Sequence, residues 1–268
     1  MIEEKLAVML LPYRGADKTV RVFIPAHEEG ETLPVVYMTD GQNLFDYNEG
    51  QFGCWYIREA VREERISCGR AAVIVGIHND GHPAERSNDL TPKNIARRNE
   101  PVGIPEEFKK MIDPRGEEFG EFIINTVMPE VEKYFPVKTG RENTAFCGSS
   151  AGGLESLYMA LTYPGIFSYA GVFSPVPLYM IYDADGINSW LNEKIGSAEE
   201  IPYLYFYGGG SEPMEKDISD CMEAVYNNVF TSIYPEEKRS IAVKPEMPHN
   251  EKAWEPEFRK FLHMFLAK

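Results

Sequence analysis

Apolar residues fall into short runs separated by polar, Gly- and Pro-bearing stretches, and the runs switch between two periods along the chain. Val35-Val36-Tyr37-Met38 and Ala72-Val73-Ile74-Val75-Gly76-Ile77 are continuous apolar runs. They predict strands covered on both faces, as in a parallel sheet. Asn143-Thr144-Ala145-Phe146-Cys147, Tyr169 to Phe173, Tyr203 to Tyr207 and Ser240 to Lys244 read as further strands. Leu6 to Leu11 and Thr19 to Ile24, joined through Tyr13-Arg14-Gly15-Ala16-Asp17, predict an opening antiparallel pair. Helical spacing covers Tyr56 to Glu64, Ile187 to Ile195, Asp217 to Phe230 and Trp254 to Leu266. Phe119, Phe122, Ile123, Val127, Val131 and Tyr134 mark one long amphipathic helix, with a kink expected near Pro129.

Strands alternating with helices after an opening hairpin predict an α/β fold. Its central sheet is mainly parallel and flanked by helices on both faces. No repeat, linker or low-complexity tract interrupts the pattern, so residues 1–268 are read as a single domain. One stretch breaks the rhythm. His78 to Arg115 shows neither a sheet run nor a long helix and carries Pro83, Pro92, Pro101, Pro105 and Pro114. It leaves the C-terminal end of a central strand, where open α/β sheets bind ligands, and is expected to form part of a substrate-binding rim.

Composition narrows the partners. A formal net charge of −15 disfavours nucleic acid and anionic membranes, which repel an acidic surface. No segment approaches the roughly 20 apolar residues of a membrane-spanning helix. The chain opens on the acidic Met1-Ile2-Glu3-Glu4-Lys5 without a signal-like apolar region. The four cysteines lack disulfide-like or metal-like spacing. These features point to a cytoplasmic protein with free thiols. Cys147 is read as a packing residue.

The chemistry is carried by Gly148-Ser149-Ser150-Ala151-Gly152, a Gly-x-Ser-x-Gly pentapeptide between a strand run and a helical run. The nucleophile elbow of serine hydrolases requires this context: a serine on a tight strand-to-helix turn, its hydroxyl beside helix-terminal amides. A serine hydroxyl needs a base. Of the histidines after Ser150, His249 lies in a loop between the last strand and the last helix, and His263 lies inside that helix. His249 is the candidate base and His263 a structural residue. The acid is expected after the strand Tyr203 to Tyr207, where Glu212 is the earliest carboxylate and Asp217 its competitor. The oxyanion is expected to meet the backbone amides of Ala151 and Gln42.

Met38-Thr39-Asp40-Gly41-Gln42-Asn43-Leu44-Phe45-Asp46, Val75-Gly76-Ile77, Gly148 to Leu154 and His249-Asn250-Glu251-Lys252-Ala253-Trp254 together resemble the putative-esterase family. That family includes esterase D, feruloyl and acetylxylan esterases, enterochelin esterases and mycolyl transferases. The resemblance runs from about residue 20 to the C-terminus. It implies an α/β-hydrolase fold and carboxylic-ester hydrolysis without a cofactor. It also implies Ser150 as nucleophile, His249 as base and Glu212 as acid. The acid segment, Gly208-Gly209-Gly210-Ser211-Glu212, departs from the Gly-Thr that often precedes the acid in the family.

Other motifs are set aside. His78, Asp80 and His82 lack further ligands at metal-like spacing. Asp46 to Gly50 lacks the bidentate Glu of a calcium loop, and Gly208-Gly209-Gly210 lacks the Gly-Lys-Ser/Thr of a phosphate loop. The sequence therefore implies no metal and no cofactor. The substrate is expected to be a small-molecule or carbohydrate ester; Tyr179, Tyr182 and Trp190 follow a central strand and read equally as pocket lining or as core. An acyltransferase and an inactive binding protein on the same fold are the alternative readings. The oligomeric state is not legible.

Overall fold

The computed structural model of the chain describes residues 1–46, 53–79, 83–93, 113–176, 184–197 and 199–267. Strands β1 (Lys5–Tyr13) and β2 (Ala16–Ile24) form the opening hairpin. Tyr13 pairs with Ala16, so the turn shrinks to Arg14-Gly15, both at positive φ (52° and 79°). Two consecutive left-handed residues match the twist of a two-residue hairpin, which is why both strands run further than their apolar cores.

The remaining strands are β3 (Val35–Met38), β4 (Val73–Ile77), β5 (Thr144–Ser149), β6 (Tyr169–Phe173), β7 (Tyr203–Gly208) and β8 (Arg239–Val243). They build one 8-stranded sheet in the order β1-β2-β4-β3-β5-β6-β7-β8. β2 meets β4 antiparallel, and every pairing from β4 to β8 is parallel. The carboxyl ends of β3 to β8 therefore lie along one edge. Side chains alternate between two buried layers, as the strand period of 2 requires. Val35 and Tyr37 join one cluster, whereas Val36 and Met38 join the other.

Among the described residues, helices α1 (Ile57–Cys68), α2 (Pro83–Asp89), α3 (Gly116–Phe122), α4 (Met128–Tyr134), α5 (Ala151–Thr162), α6 (Ala184–Gly196), α7 (Pro213–Val225) and α8 (Glu251–Leu266) flank the sheet, with a π-helical turn Tyr226–Phe230 and the short helix Thr231–Ile233 after α7. Residues of α1 and α8 pack in one layer, and those of α3 to α7 in the other. The break expected at Pro129 is a π-helical turn, Ile123–Val127, placed directly before α4. A wider turn there accommodates a residue that lacks an amide donor and crowds the preceding carbonyl. Among the described residues, no helix is long and apolar enough to cross a membrane.

The sequence reading placed no helix in His78 to Arg115, yet α2 lies within it. A buried ion cluster holds α2. Asp89 accepts from Lys18 Nζ (2.9 Å), Arg115 Nε (2.6 Å) and the Tyr13 hydroxyl (3.1 Å). Residues 94–112, Tyr179, Tyr182, Asp80 and His82 lie outside the described residues. Trp190 is fully buried and stacks on Tyr158 at 6.3 Å, so it is a core residue and not a pocket wall.

One core residue carries a penalty. Glu155, on α5, is fully buried, and neither carboxylate oxygen has a hydrogen-bond partner among the described residues. Burial, with Glu117 and Asp89 nearby, pushes its pKa well above the ordinary value. A carboxyl raised in the native state stabilises the fold fully below its unfolded pKa of 4.5, and that contribution is lost as pH rises through the native value. Glu155→Met is therefore expected to raise the melting temperature at pH 8. The gain should correspond to about 1–3 kcal/mol, the cost of an unpartnered buried polar group, and should shrink toward pH 4.5. Thermal melts of both proteins across this range check it. A pH-independent difference would show that the Glu155 carboxyl has the same pKa in the folded and unfolded chains.

Candidate active site

β5 ends at Ser149, and α5 begins at Ala151. Ser150 is the hinge between them, at φ 58° and ψ −125°. This conformation is strained for a residue with a Cβ and is held only by its surroundings. The Ser150 amide donates to Phe173 O (2.9 Å), while its carbonyl accepts from Val176 N (3.0 Å). The elbow is thus sewn to the end of β6. A side chain at Gly148 or Gly152 would collide with the Thr39 hydroxyl, which packs into the turn from β3. Ala151 is the first residue of α5, so its amide has no carbonyl one turn back and faces the helix entrance.

The loop after β3 forms a short 3-10 turn, Gly41–Asn43, entered through Asp40 in the left-handed region (φ 54°). β3 and β5 are neighbouring parallel strands, and Thr39 N bonds to Cys147 O at 3.3 Å. The turn carrying Gln42 and the elbow carrying Ala151 therefore rise side by side. Asp40 is held by both sides of the Arg86 guanidinium (Nε–Oδ1 2.6 Å, Nη2–Oδ2 2.7 Å) and by Asn79 Nδ2 (2.5 Å). Burial works against its ionisation, but Arg86 and Asn79 overcome it and keep the carboxyl below its usual range. Arg86 Nη2 also reaches Ser149 O (3.4 Å), so one side chain braces both turns. Asn43 Nδ2 donates to Glu251 Oε1 (2.8 Å), tying the same turn to the start of α8.

His249 lies just before Asn250, the N-cap of α8, whose side chain accepts from Lys252 N (3.1 Å). The helix starts three residues ahead of the sequence reading, and Pro256 sits inside it. The imidazole is edge-on to Trp254 with ring centroids 5.0 Å apart. Its Nδ1 faces Glu215 Oε2 at 2.5 Å. A carboxylate only accepts, so Nδ1 carries the proton and Nε2 is left as the basic nitrogen.

The expected acid, Glu212, is not the partner of His249. The sequence reading began α7 at Asp217, but the helix starts at Pro213, and Glu212 becomes its exposed N-cap. Asp217 is exposed as well. Glu215, in the first turn, is fully buried and points toward the sheet. It accepts from His249, from Gly209 N (2.5 Å) and from the Ser174 hydroxyl (2.6 Å). Ser174 in turn accepts from Trp254 Nε1 (2.9 Å). A buried carboxylate with this set of donors is fully satisfied as an anion. A side chain at Gly209 would run into Met247 O and Glu215, which gives the glycine run a reason unrelated to phosphate.

Neither Ser174 nor Glu215 was found from sequence. Glu215, Ile218, Ser219 and Met222 share the buried stripe of α7, and a carboxylate on an apolar stripe was the available signal. Phe173 O holds Ser150, and the next residue, Ser174, holds Glu215. Ser150, Glu215 and His249 are thus joined through the end of β6.

The family model described as Putative esterase matches residues 13–199. A bifunctional endo-1,4-β-xylanase/feruloyl esterase of Xylanibacter ruminicola is 28% identical over 109 residues, 41% of this chain and 13% of that protein. An uncharacterised protein of Bacillus subtilis is 23% identical over 62% of this chain and 59% of its own length. The matches thus span only part of both curated relatives. Among solved structures, a siderophore hydrolase of Aspergillus nidulans superposes with a TM-score of 0.72 at 21% identity, over 97% of this chain and 93% of that one. The enterobactin esterase of Shigella flexneri gives 0.69 at 18% identity, over 98% and 59%.

Proposed function

The chain belongs to the Putative esterase family, and on that premise we propose that it hydrolyses a carboxylic ester through an acyl-enzyme on Ser150. The observation that carries this reading is the pairing of His249 Nδ1 with buried Glu215, behind a strained Ser150, in the chain order serine, acid, histidine. His249 Nε2 takes the Ser150 proton as Oγ attacks the ester carbonyl. The amides of Gln42 and Ala151 receive the developing oxyanion. Glu215 stabilises the imidazolium without taking its proton. His249 then protonates the departing alcohol, and the acyl-enzyme forms. A water activated by the same nitrogen releases the acid and restores Ser150.

The substrate class is a small-molecule or carbohydrate ester. Feruloyl and siderophore esters are the compounds to try, following the relatives' described activities. The acidic surface and the free cysteines support a cytoplasmic setting away from nucleic acid and membranes. Residues 1–268 act as one catalytic domain in this reading. A fluorophosphonate probe tests it directly. One equivalent is expected to label Ser150, as read by peptide mass, and to stop hydrolysis of acetyl, feruloyl and trilactone-siderophore esters. Product analysis with added alcohol separates hydrolysis from acyl transfer. An unlabelled protein that hydrolyses none of these esters would instead be a binding protein on this fold.

A further inference from the structure

Away from the elbow, at the far ends of α1 and α8, three side chains of different chemistry converge. Glu64 and Cys68 stand one turn apart on α1, at positions that share a helix face. His263 projects from the last turn of α8, which packs beside α1 in the same core layer. His263 Nδ1 lies 3.1 and 3.2 Å from the two Glu64 oxygens and 3.9 Å from Cys68 Sγ. All three donor atoms fall within 4.8 Å of one another, the one such group among the described residues. Ligands about 2.0–2.3 Å from a tetrahedral zinc stand roughly 3.3–3.8 Å apart, so the two separations from His263 lie within a few tenths of an ångström of the edges of such a site.

From this juxtaposition we propose that Glu64, Cys68 and His263 bind a divalent transition metal of the zinc class, with the fourth position open to water. The donor set selects that class. Thiolate and imidazole suit zinc or cobalt, whereas magnesium and calcium want oxygen alone. Charge closes as well: a dication meets one carboxylate and one thiolate, binding releases the thiol proton to solvent, and a neutral His263 presents its Nδ1 lone pair with its proton on Nε2. The Ser67 hydroxyl lies 3.4 Å from Cys68 Sγ and can support the thiolate. Glu64 is mostly buried and preset, whereas Cys68 and His263 are exposed and leave an entry path. The site is roughly 18 Å along α8 from the His249 loop, at 1.5 Å per residue. Its metal ties α1 to α8 and takes no part in the ester chemistry.

Cobalt(II) reports the thiolate directly. Reduced, chelator-treated protein is titrated with Co(II) alone, and the near-ultraviolet thiolate-to-cobalt band is followed. One equivalent should saturate the band in the wild type, and Zn(II) should displace it. Cys68→Ser should abolish the band, and His263→Gln should weaken binding at least tenfold. Zn(II) should raise the melting temperature of the wild type but of neither variant. Circular dichroism of each variant without metal confirms the fold. Cys221→Ser is the thiol control and should bind as the wild type does. Absence of the band in the wild type, or its survival in Cys68→Ser, overturns the proposal.

Discussion

Ser150→Ala is expected to lower kcat/KM for ester hydrolysis on the order of 10⁴-fold or more and to leave the melting temperature near that of the wild type. Among the described residues, the hydroxyl makes no hydrogen bond. The elbow is held instead by the Ser150 backbone, through Phe173 O and Val176 N. Alanine suits the strained φ of 58° no worse than serine, since both carry a Cβ. His249→Ala should lose about as much, because nucleophile and base act as one unit and either loss removes the acylation step. The double variant should be scarcely worse than either single one. Steady-state kinetics on one activated ester, with fluorophosphonate labelling in parallel, measure all three. Additive losses would mean that the two side chains do not cooperate in one step.

Glu215→Gln should cost about 10²- to 10⁴-fold in kcat, while Glu212→Gln and Asp217→Asn should stay within about twofold of the wild type. The contrast follows from position. Glu215 bonds His249, Gly209 N and Ser174, and glutamine keeps the shape while removing the charge that holds the imidazolium. Glutamine can keep its oxygen on Gly209 N–H and the Ser174 hydroxyl, which meet one carboxylate oxygen, so its NH2 turns toward His249 Nδ1 and favours the wrong tautomer. Glu212 and Asp217 are exposed. Rates measured between pH 6 and 9 for the three variants check the assignment. A large loss at Glu212 or Asp217 with normal rates for Glu215→Gln would return the role to the residues expected from sequence.

The elements written in apolar periodicity were legible, and those held by charge were not. β3, β4, β5, β6 and β7 stood out because strands covered on both faces are apolar throughout. The α2 segment, Pro83-Ala84-Glu85-Arg86-Ser87-Asn88-Asp89, has no apolar stripe to read. It is fixed by Arg86 on Asp40 and by Asp89 between Lys18 and Arg115, pairings across long sequence separations. The start of α7 failed for a related reason. Pro213 is a good first helical residue, but it follows a glycine run that reads as loop. Starting the helix at Asp217 hid the spacing that turns Glu215 inward. Trp190 shows a third limit: its helix was legible, but nothing in a single sequence said whether its indole faced ligand or core.

The Asp89 cluster also bears on how separate elements share one anchor. Asp89 closes α2, and Arg115 opens α3, so a single carboxylate grips the chain on both sides of residues 94–112. Both anchor points are fastened to the β1–β2 hairpin through Lys18 and Tyr13. The end of α2 and the entrance of α3 are thus held together by contacts among Tyr13, Lys18, Asp89 and Arg115. The pairing of Arg86 with Asp40 lies within α2, ahead of Asp89. One buried carboxylate is thereby the shared fastening of the hairpin, the end of α2 and the entrance of α3, so its loss would loosen all three together.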